Sequence, residues 1–261
     1  MPQMFALLTN DDGIHAPGLA ALHTALAEMG TLLTVAPAEE QSGMSHALTM
    51  NGPLRIIRHA HQRWAVSGTP VDCVYVAIHR VCDRFPDLVI SGINKGANLG
   101  DDVFYSGTVG AAREAALNGI PSLAVSLDLS DETEHLHFDT AASIAMGVVK
   151  RMQAHPLPEG CYLNLNVPNR PLKDVQGVAV CALGKRHYEP LVEERTDPRG
   201  KRYFWIGGHP VGEQMHEGTD GNWMARGFAT LTPLGLDNTA VDRLAGAVTW
   251  TPENFRGVRN D

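Results

Sequence analysis

Apolar runs and amphipathic segments alternate through the first 160 residues of the chain. Short apolar runs that stop at polar, proline or glycine residues predict buried strands at residues 4–9, 32–36, 87–93 and 122–127. Leucine and alanine at helical spacing predict helices at residues 19–29, 71–81, 109–117 and 138–152, with Gly30 capping the first. This alternation indicates an α/β fold with a mostly parallel sheet and helices on both faces.

The pattern changes after about residue 160, where residues 162–167 alternate as a strand does. The charged stretch 184–208 has Asp-Pro-Arg-Gly at 197–200 between two strand-like arms, which predicts a long β-hairpin. We expect this arm to serve subunit association, with a lid over a site as the alternative. We therefore predict one domain over residues 1–261, in which residues 1–160 form a core with the site loops and residues 161–261 form C-terminal strands and the hairpin region.

Composition and charge narrow the class of protein. The chain has 261 residues and a formal net charge of -8, which argues against a surface that coats nucleic acid. A small phosphorylated substrate is compatible with this negative net charge, because a bound divalent cation supplies local positive charge. No apolar run is long enough for a bilayer and the N-terminus lacks the basic stretch of a signal peptide, so we expect no membrane partner and a cytoplasmic location. The cysteines form no Cys-x-x-Cys pair, which favours buried thiols.

Three polar or glycine-rich loops follow strands, at residues 10–18, 37–46 and 91–108. Ligands of parallel sheets collect at the carboxyl ends of the strands. We therefore expect all three loops to open on the same edge of the sheet.

Asp11 and Asp12 are the sharpest feature of the first loop. Two adjacent carboxylates repel each other and need a cation or strong hydrogen bonds, and hard divalent ions such as Mg²⁺ or Mn²⁺ take such oxygen ligands. A turn at Gly13 brings both carboxylates toward one point, beside Asn10. The alternative is an ordinary helix cap and turn, for which Asn, Asp and Gly are all favoured.

The other two loops offer groups for an anion. In the second, Ser42 stands beside a flexible glycine, and His46 is a candidate to stabilise phosphate or move a proton; a surface turn explains both equally well. In the third, the segment 106–108 precedes the helix predicted from residue 109, so its hydroxyl and N–H groups suit an anion at a helix N-terminus. The alternative here is a capped helix after a structural loop. Together the loops suit phosphate held between a metal and a helix terminus.

Several motifs closely resemble the SurE (stationary-phase survival protein) family of nucleotidases, in order and at similar spacing over nearly the whole chain. They are TNDDGIHAPG at 9–18, VAP at 35–37, QSG at 41–43, GTPVDCVY at 68–75, VISGINKGANLGDD at 89–102, YSGT at 105–108, LNLNVP at 163–168, DPRG at 197–200 and GTD at 218–220. Two departures are the acidic stretch 38–40, where relatives often carry basic or mixed residues, and Ala97, where proline is common.

The resemblance implies a Rossmann-like fold and a C-terminal hairpin that mediates homodimer or homotetramer assembly. It also implies divalent-metal-dependent release of phosphate from nucleoside 5′- and 3′-monophosphates, with short-chain polyphosphate as a further substrate. One Mg²⁺ or Mn²⁺ per subunit is expected on the ligands Asp11, Asp12, Ser42 and Asn94. The expected phosphate and substrate contacts, including those inferred from the loops, are Asn10, His46, Asn98, Ser106, Gly107 and Thr108.

The hypothesis from sequence is in-line attack by a metal-activated water, with Asp11 or Asp12 as the catalytic base. A rival enzyme is an aspartyl-phosphate phosphatase, although such enzymes usually space their two aspartates one residue apart. A non-enzymatic rival is a regulatory module that binds nucleotide without chemistry.

Overall fold

The computed structural model describes residues 3–130, 135–208, 210–214 and 216–241. The strands are β1 Met4–Thr9, β2 Gly30–Pro37, β3 Ile56–Ala60, β4 Arg63–Val66, β5 Leu88–Lys95, β6 Ser122–Asp128, β7 Cys161–Pro168, β8 Val178–Val180, β9 Lys185–Tyr188, β10 Leu191–Thr196, β11 Arg202–Gly207, β12 Pro210–Gln214 and β13 Ala229–Gly235. The α-helices are α1 Pro17–Leu26, α2 Pro70–Val76, α3 Gly107–Leu117, α4 Phe138–Ala154 and α5 Asp220–Ala225. The N-terminal residues 1–2 and the C-terminal residues 242–261 lie outside the described residues. The first range belongs to the N-terminus considered above for a signal peptide, and the second belongs to the predicted C-terminal region.

Nine of the described strands form one sheet in the order β3-β4-β2-β1-β5-β6-β7-β13-β8. The pairs from β4 through β7 are all parallel, while β3 with β4 and β7 with β13 are antiparallel. The mostly parallel α/β sheet predicted from the sequence is therefore confirmed.

Helices cover both faces of the sheet, as expected. Successive residues of β1 point to opposite faces, so Leu8 joins a core with α1 and α4, whereas Leu7 joins a core with α2 and α3. The side chains of Leu22 on α1 and of Leu7 and Leu8 on β1 are fully buried. This burial on both faces explains why the strands appear in the sequence as continuous apolar runs rather than alternating ones.

The parallel pairing of β2, β1 and β5 brings the ends of these strands to one edge. The loops that follow them are the three loops singled out in the sequence. Asp11 lies in the first, its carbonyl accepts the N–H of Gln41 in the second at 2.8 Å, and Tyr105 of the third accepts the N–H of Ser45 at 2.9 Å. The expectation that these loops meet is confirmed.

The first two predicted helices need correction. α1 begins earlier than predicted and ends at Leu26, and Gly30 opens β2 instead of capping the helix. A Cβ at Gly30 would lie 2.0 Å from the carbonyl oxygen of Met4, so glycine serves the close approach of β1 and β2. The second predicted helix is α-helical only to Val76; residues Ala77–Val81 form a π-helical turn in which the Cys82 N–H donates to the Ala77 carbonyl at 2.8 Å.

The C-terminal hairpin is shorter than predicted. β10 and β11 pair around the Asp-Pro-Arg-Gly turn, where the Gly200 N–H donates to the Asp197 carbonyl at 2.9 Å. β9, which we expected in the same hairpin, pairs instead with β12. All residues of β10 and β11 are exposed, and these two strands are called the arm below.

Other elements went unpredicted, namely β3, β4, β8, β12, β13 and α5, and α3 starts two residues earlier than expected. Cys73 and Cys181 are buried, as expected of the thiols, while Cys82 and Cys161 are only partly so. In the part of the chain that the structure describes, no helix is both long and apolar enough to cross a membrane.

Candidate active site

The turn after β1 is held by Asn10 and Gly13. The fully buried Asn10 donates from Nδ2 to the Gly13 carbonyl at 2.9 Å, and Gly13 has a φ of 95°, a conformation that favours glycine. The side chain of Asn10 therefore shapes the turn that presents the two carboxylates.

Asp11 is attached to the start of α3. Its Oδ1 accepts the hydroxyl hydrogen bond of Thr108, and its Oδ2 accepts the Thr108 N–H at 3.3 Å. The carboxyl group is buried, at 4% exposure. Burial, with a smaller contribution from the charge of Asp12, raises the pKa of Asp11 to about 6 despite the opposing Thr108 hydrogen bond.

Asp12 turns toward the third loop, where its Oδ2 accepts the N–H of Lys95 at 3.1 Å. Burial raises the pKa of this carboxyl, and the charge of Glu40 adds to the shift, while the Lys95 N–H and ammonium oppose it. Among the residues described, no lysine or arginine forms an ion pair with Asp11 or Asp12. Two neighbouring carboxylates thus lie in a poorly solvated place with little cationic compensation.

The second loop brings Ser42 to the site but directs His46 elsewhere. The exposed Ser42 hydroxyl donates to Glu40 Oε1 at 2.8 Å, which leaves its oxygen lone pairs able to meet a cation. His46 Nε2 lies 2.8 Å from Glu114 Oε2 on α3, so this imidazole fastens the loop to the helix.

The third loop supplies two asparagines. Asn94 donates from Nδ2 to the Gly96 carbonyl at 2.7 Å, which leaves its Oδ1 as the atom suited to a cation. Asn98 is buried; its Nδ2 donates to Ser126 at 2.7 Å and its carbonyl accepts the side-chain amide of Asn164 at 2.9 Å. These bonds fix the loop against β6 and β7.

Ser106 is the N-cap of α3, and its hydroxyl accepts the Val109 N–H at 3.0 Å. The helix itself begins at Gly107, so the segment 106–108 forms its first turn rather than a loop before it. A Cβ at Gly107 would lie 3.2 Å from the Cβ of Asp11, so the helix start and this carboxyl group are in close contact.

These groups surround a cavity of about 450 Å³ at the carboxyl edge of the sheet. Its lining includes the site residues Asp11, Ser42, Asn94, Asn98 and Ser106 predicted from the sequence. Three of the other predicted residues contact lining residues: Asp12 bonds to Lys95, and Gly107 and Thr108 contact Asp11. Asn10 bonds within the turn after β1, and His46 bonds to Glu114 on α3.

Comparison with known proteins identifies the family of the chain. Residues 6–190 match the family model described as "Survival protein SurE". The chain belongs to the SurE family.

Relatives in the SurE family match nearly end to end. Proteins named 5'-nucleotidase SurE from Pelobacter propionicus and Aeromonas hydrophila are each 46% identical over 95% of this chain, covering 99% and 98% of their own lengths. A crystal structure of the SurE protein from Aquifex aeolicus matches with a TM-score of 0.83 and 38% identity, covering 94% of this chain and 99% of that one. The resemblance stated from the motifs is confirmed.

The cavity of this SurE-family chain also has lining residues that the sequence analysis did not assign, among them Lys95, Asp102, Tyr105 and Tyr188. Lys95 ends β5 and the next two follow it in the third loop, so their position at the carboxyl end of this strand was a signal that went unused. Tyr188 lies on β9, more than 80 residues further along the chain, and no local pattern connects it to the site.

The donor set fits a divalent cation. Carboxylate, amide and hydroxyl oxygens of Asp11, Asp12, Asn94 and Ser42 are hard ligands of the kind Mg²⁺ and Mn²⁺ prefer. The buried Asp11 and the partly buried Asp12 lack an ion-pair partner among the described residues, and a cation is the simplest compensation for their charge.

Proposed function

We propose that this protein is a metal-dependent phosphomonoesterase that hydrolyses nucleoside 5′-monophosphates to nucleoside and phosphate. Nucleoside 3′-monophosphates and short-chain polyphosphate are its proposed further substrates. The observation that supports this most directly is the cavity in which the buried Asp11 meets the first turn of α3, beside Ser42 and Asn94. Relatives at 44–46% identity bear the name 5'-nucleotidase SurE.

Asp11, Asp12, Ser42 and Asn94 would hold the cation, one Mg²⁺ or Mn²⁺ per subunit. When bound, the cation supplies Lewis-acid charge for the phosphoryl oxygens and lowers the pKa of a water molecule that attacks the phosphorus. Asp11 and Asp12 follow β1 and Ser42 follows β2, while Asn94 lies at the carboxyl end of β5, so the sheet fixes their spacing.

Side chains and backbone N–H groups of the protein provide the proton acceptor and the contacts to the phosphoryl oxygens. Asp11 or Asp12 accepts the proton of the attacking water. The first turn of α3, at residues 106–108, presents hydroxyl and N–H groups toward the charge that develops on the phosphoryl oxygens. Lys95 adds a positive side chain to the cavity wall.

The proposal also covers the assembly of subunits and the location in the cell. We propose a homodimer or homotetramer joined through the arm, which carries Trp205 at 59% and Ile206 at 89% exposure. Apolar side chains so exposed on a long hairpin are typical of a surface that another subunit covers. The cytoplasmic location stays a prediction from the sequence.

The test is a phosphate-release screen over nucleoside 5′- and 3′-monophosphates and polyphosphate, with Mg²⁺, Mn²⁺ or a chelator. We expect release that requires the metal and falls by roughly a hundredfold or more in Asp11→Asn and Asp12→Asn, the loss typical of catalytic groups. Asp101→Asn, an exposed carboxylate on the same loop as Asn94, is the matched control and should keep activity. Thermal unfolding with and without Mn²⁺ tests metal binding apart from turnover.

The rivals have distinct outcomes. Full activity in both aspartate variants would contradict the metal mechanism. A trapped phosphorylated aspartate would favour the aspartyl-phosphate phosphatase, and tight nucleotide binding without release under every metal would favour the regulatory module.

A further inference from the structure

The cavity is lined by two chemically different groups of side chains. The first group comprises the oxygen donors Asp11, Ser42 and Asn94, and the second comprises the aromatic side chains Tyr105 and Tyr188. Tyr105 is 69% exposed and Tyr188 is 45% exposed, so both rings present much of their surface to the solvent. Binding of phosphate by the oxygen donors leaves this aromatic surface without a role.

Tyr188 is positioned by Asp102. The Tyr188 hydroxyl lies 2.9 Å and 2.8 Å from the two carboxylate oxygens of Asp102, to which it donates. Arg186 forms an ion pair with the same carboxylate at 2.7 Å, and both charged side chains are largely buried at 15% and 16% exposure. Asp102 therefore orients the ring of Tyr188 from the third loop, since charge-assisted hydrogen bonds are short and directional.

A second anchor fixes the start of β9 to the same loop. The buried Asp220 accepts the N–H of Gly184, just before β9, at 2.7 Å and the N–H of Gly100 at 2.8 Å. Asp102 and Asp220 thus hold β9 against the third loop at both of its ends. Tyr188 is therefore held in a fixed position on the wall of the cavity.

We propose that Tyr188, together with Tyr105, forms the platform on which the nucleobase of the substrate stacks, and that Asp102 is its positioning residue. This inference rests on the proposed function. The cavity of about 450 Å³ is in the size range of small-molecule sites, and its oxygen donors and aromatic rings match the phosphate and the base of a nucleotide. Stacking uses the π-face that every base has, so we expect weak selection among bases.

The test compares AMP with ribose 5-phosphate, which has the same phosphate and sugar but no base. We expect Tyr188→Leu to raise the KM for AMP by roughly tenfold, the order of one lost base–aromatic stack. The kcat for AMP and the kcat/KM for ribose 5-phosphate should stay within about twofold, because the oxygen donors are untouched. Tyr188→Phe keeps the ring but loses its hydrogen bonds to Asp102, so its KM for AMP should lie between those of wild type and Tyr188→Leu.

Tyr75→Leu is the matched control, since Tyr75 on α2 has a similar exposure of 44% and does not line the cavity. Asp102→Ala breaks the same hydrogen bonds as Tyr188→Phe and should likewise raise the KM for AMP by less than Tyr188→Leu does, with ribose 5-phosphate unaffected. Tyr105→Leu is the second variant for the case in which Tyr188→Leu does not fold, because Tyr105 is exposed. Equal losses on AMP and ribose 5-phosphate, or an unchanged KM for AMP in both tyrosine variants, would overturn the inference.

Adenosine binding separates this inference from the proposed function. Adenosine has no phosphate, so its affinity, measured by calorimetry, does not depend on turnover. We expect wild-type binding that weakens by roughly tenfold in Tyr188→Leu. If adenosine binds but no phosphate is released from AMP, the proposed function is wrong and the stacking platform is not. If phosphate is released from AMP but the tyrosine variants bind adenosine as wild type does, the stacking platform is wrong and the proposed function is not.

Discussion

At the scale of residues, the position of Asp11 depends on how closely α3 approaches it. Thr108 contacts both of its carboxylate oxygens, and Gly107 leaves room for this approach because it has no side chain. A Cβ at Gly107 would stand 3.2 Å from Asp11 Cβ, 3.3 Å from Asp11 Oδ2 and 3.1 Å from Pro70 Cγ. Each distance is shorter than ordinary van der Waals contact, so a neighbour must move.

We therefore expect Gly107→Ala to impair phosphate release more than folding. A displacement of Asp11 by a few tenths of an ångström should lower kcat/KM by roughly tenfold or more. The free energy of unfolding should change by only about 1 kcal/mol, because alanine favours the helix while the crowding opposes it. Steady-state kinetics and urea unfolding of the same preparation measure the two effects.

Gly147→Ala is the matched control, because Gly147 lies within α4 and a Cβ there would meet no atom within 4 Å. This variant should keep full activity and gain about 0.5–1 kcal/mol of stability. Equal activity in the two variants would show that the contact between Gly107 and Asp11 does not matter for turnover.

At the scale of elements, the capping of α2 also holds the long connection between β2 and β3. The Thr69 side chain accepts the Asp72 N–H at 3.1 Å, and Asp72 Oδ2 accepts the Thr69 N–H at 2.8 Å, a complete capping box. The same fully buried carboxylate accepts the N–H and the hydroxyl of Thr49, at 2.8 Å and 2.6 Å. One side chain thus secures both a helix start and the chain that leaves the second site loop.

Asp72→Ala should destabilise the protein by about 3 kcal/mol, since it leaves several buried donors without an acceptor. Asp139→Ala is the control from another helix start: Asp139 lies in the first turn of α4 with its side chain 83% exposed. Its substitution should change stability by less than about 0.5 kcal/mol. Chemical unfolding measures both, and similar losses at the two positions would refute this account of the capping box.

At the scale of the whole molecule, the arm follows a site strand in the sequence, but none of its residues lines the cavity. β9 lines the cavity through Tyr188, and the chain then enters the arm, whose residues are all exposed. In the register of the arm, Val192 lies opposite Ile206, and both are exposed, at 63% and 89%. This apolar cross-strand pair is the part of the arm best suited to a partner subunit.

Ile206→Asp should therefore shift the protein toward the monomer, because a charge replaces apolar surface at the proposed interface. Thr196→Asp introduces the same side chain on β10 next to the turn and should leave the assembly unchanged. Sedimentation equilibrium over a range of protein concentrations measures the effect. An unaltered mass in Ile206→Asp would exclude this pair from the interface.

The sequence by itself determined the strands β1, β2, β5, β6 and β7 of the sheet and most of the site residues. Runs such as residues 4–9 and 122–127 are mostly apolar because helices cover both faces of their strands, and that burial leaves a nearly continuous signal. Asp11, Ser42, Asn94 and Ser106 lie at or after the carboxyl ends of β1, β2 and β5, so strand ends predicted from the sequence were enough to group them at one cavity.

The tertiary structure decided what depends on contacts distant in sequence. β3 is exposed at every residue, so no apolar pattern reveals it, and β9 pairs with β12 although the turn at 197–200 predicts a different hairpin. Tyr188 reaches the cavity only because Asp102 and Asp220 bind β9 to a loop more than 80 residues away. Hydrophobic periodicity reports how each segment meets its own core, whereas such polar contacts between distant segments leave no periodic signal along the chain.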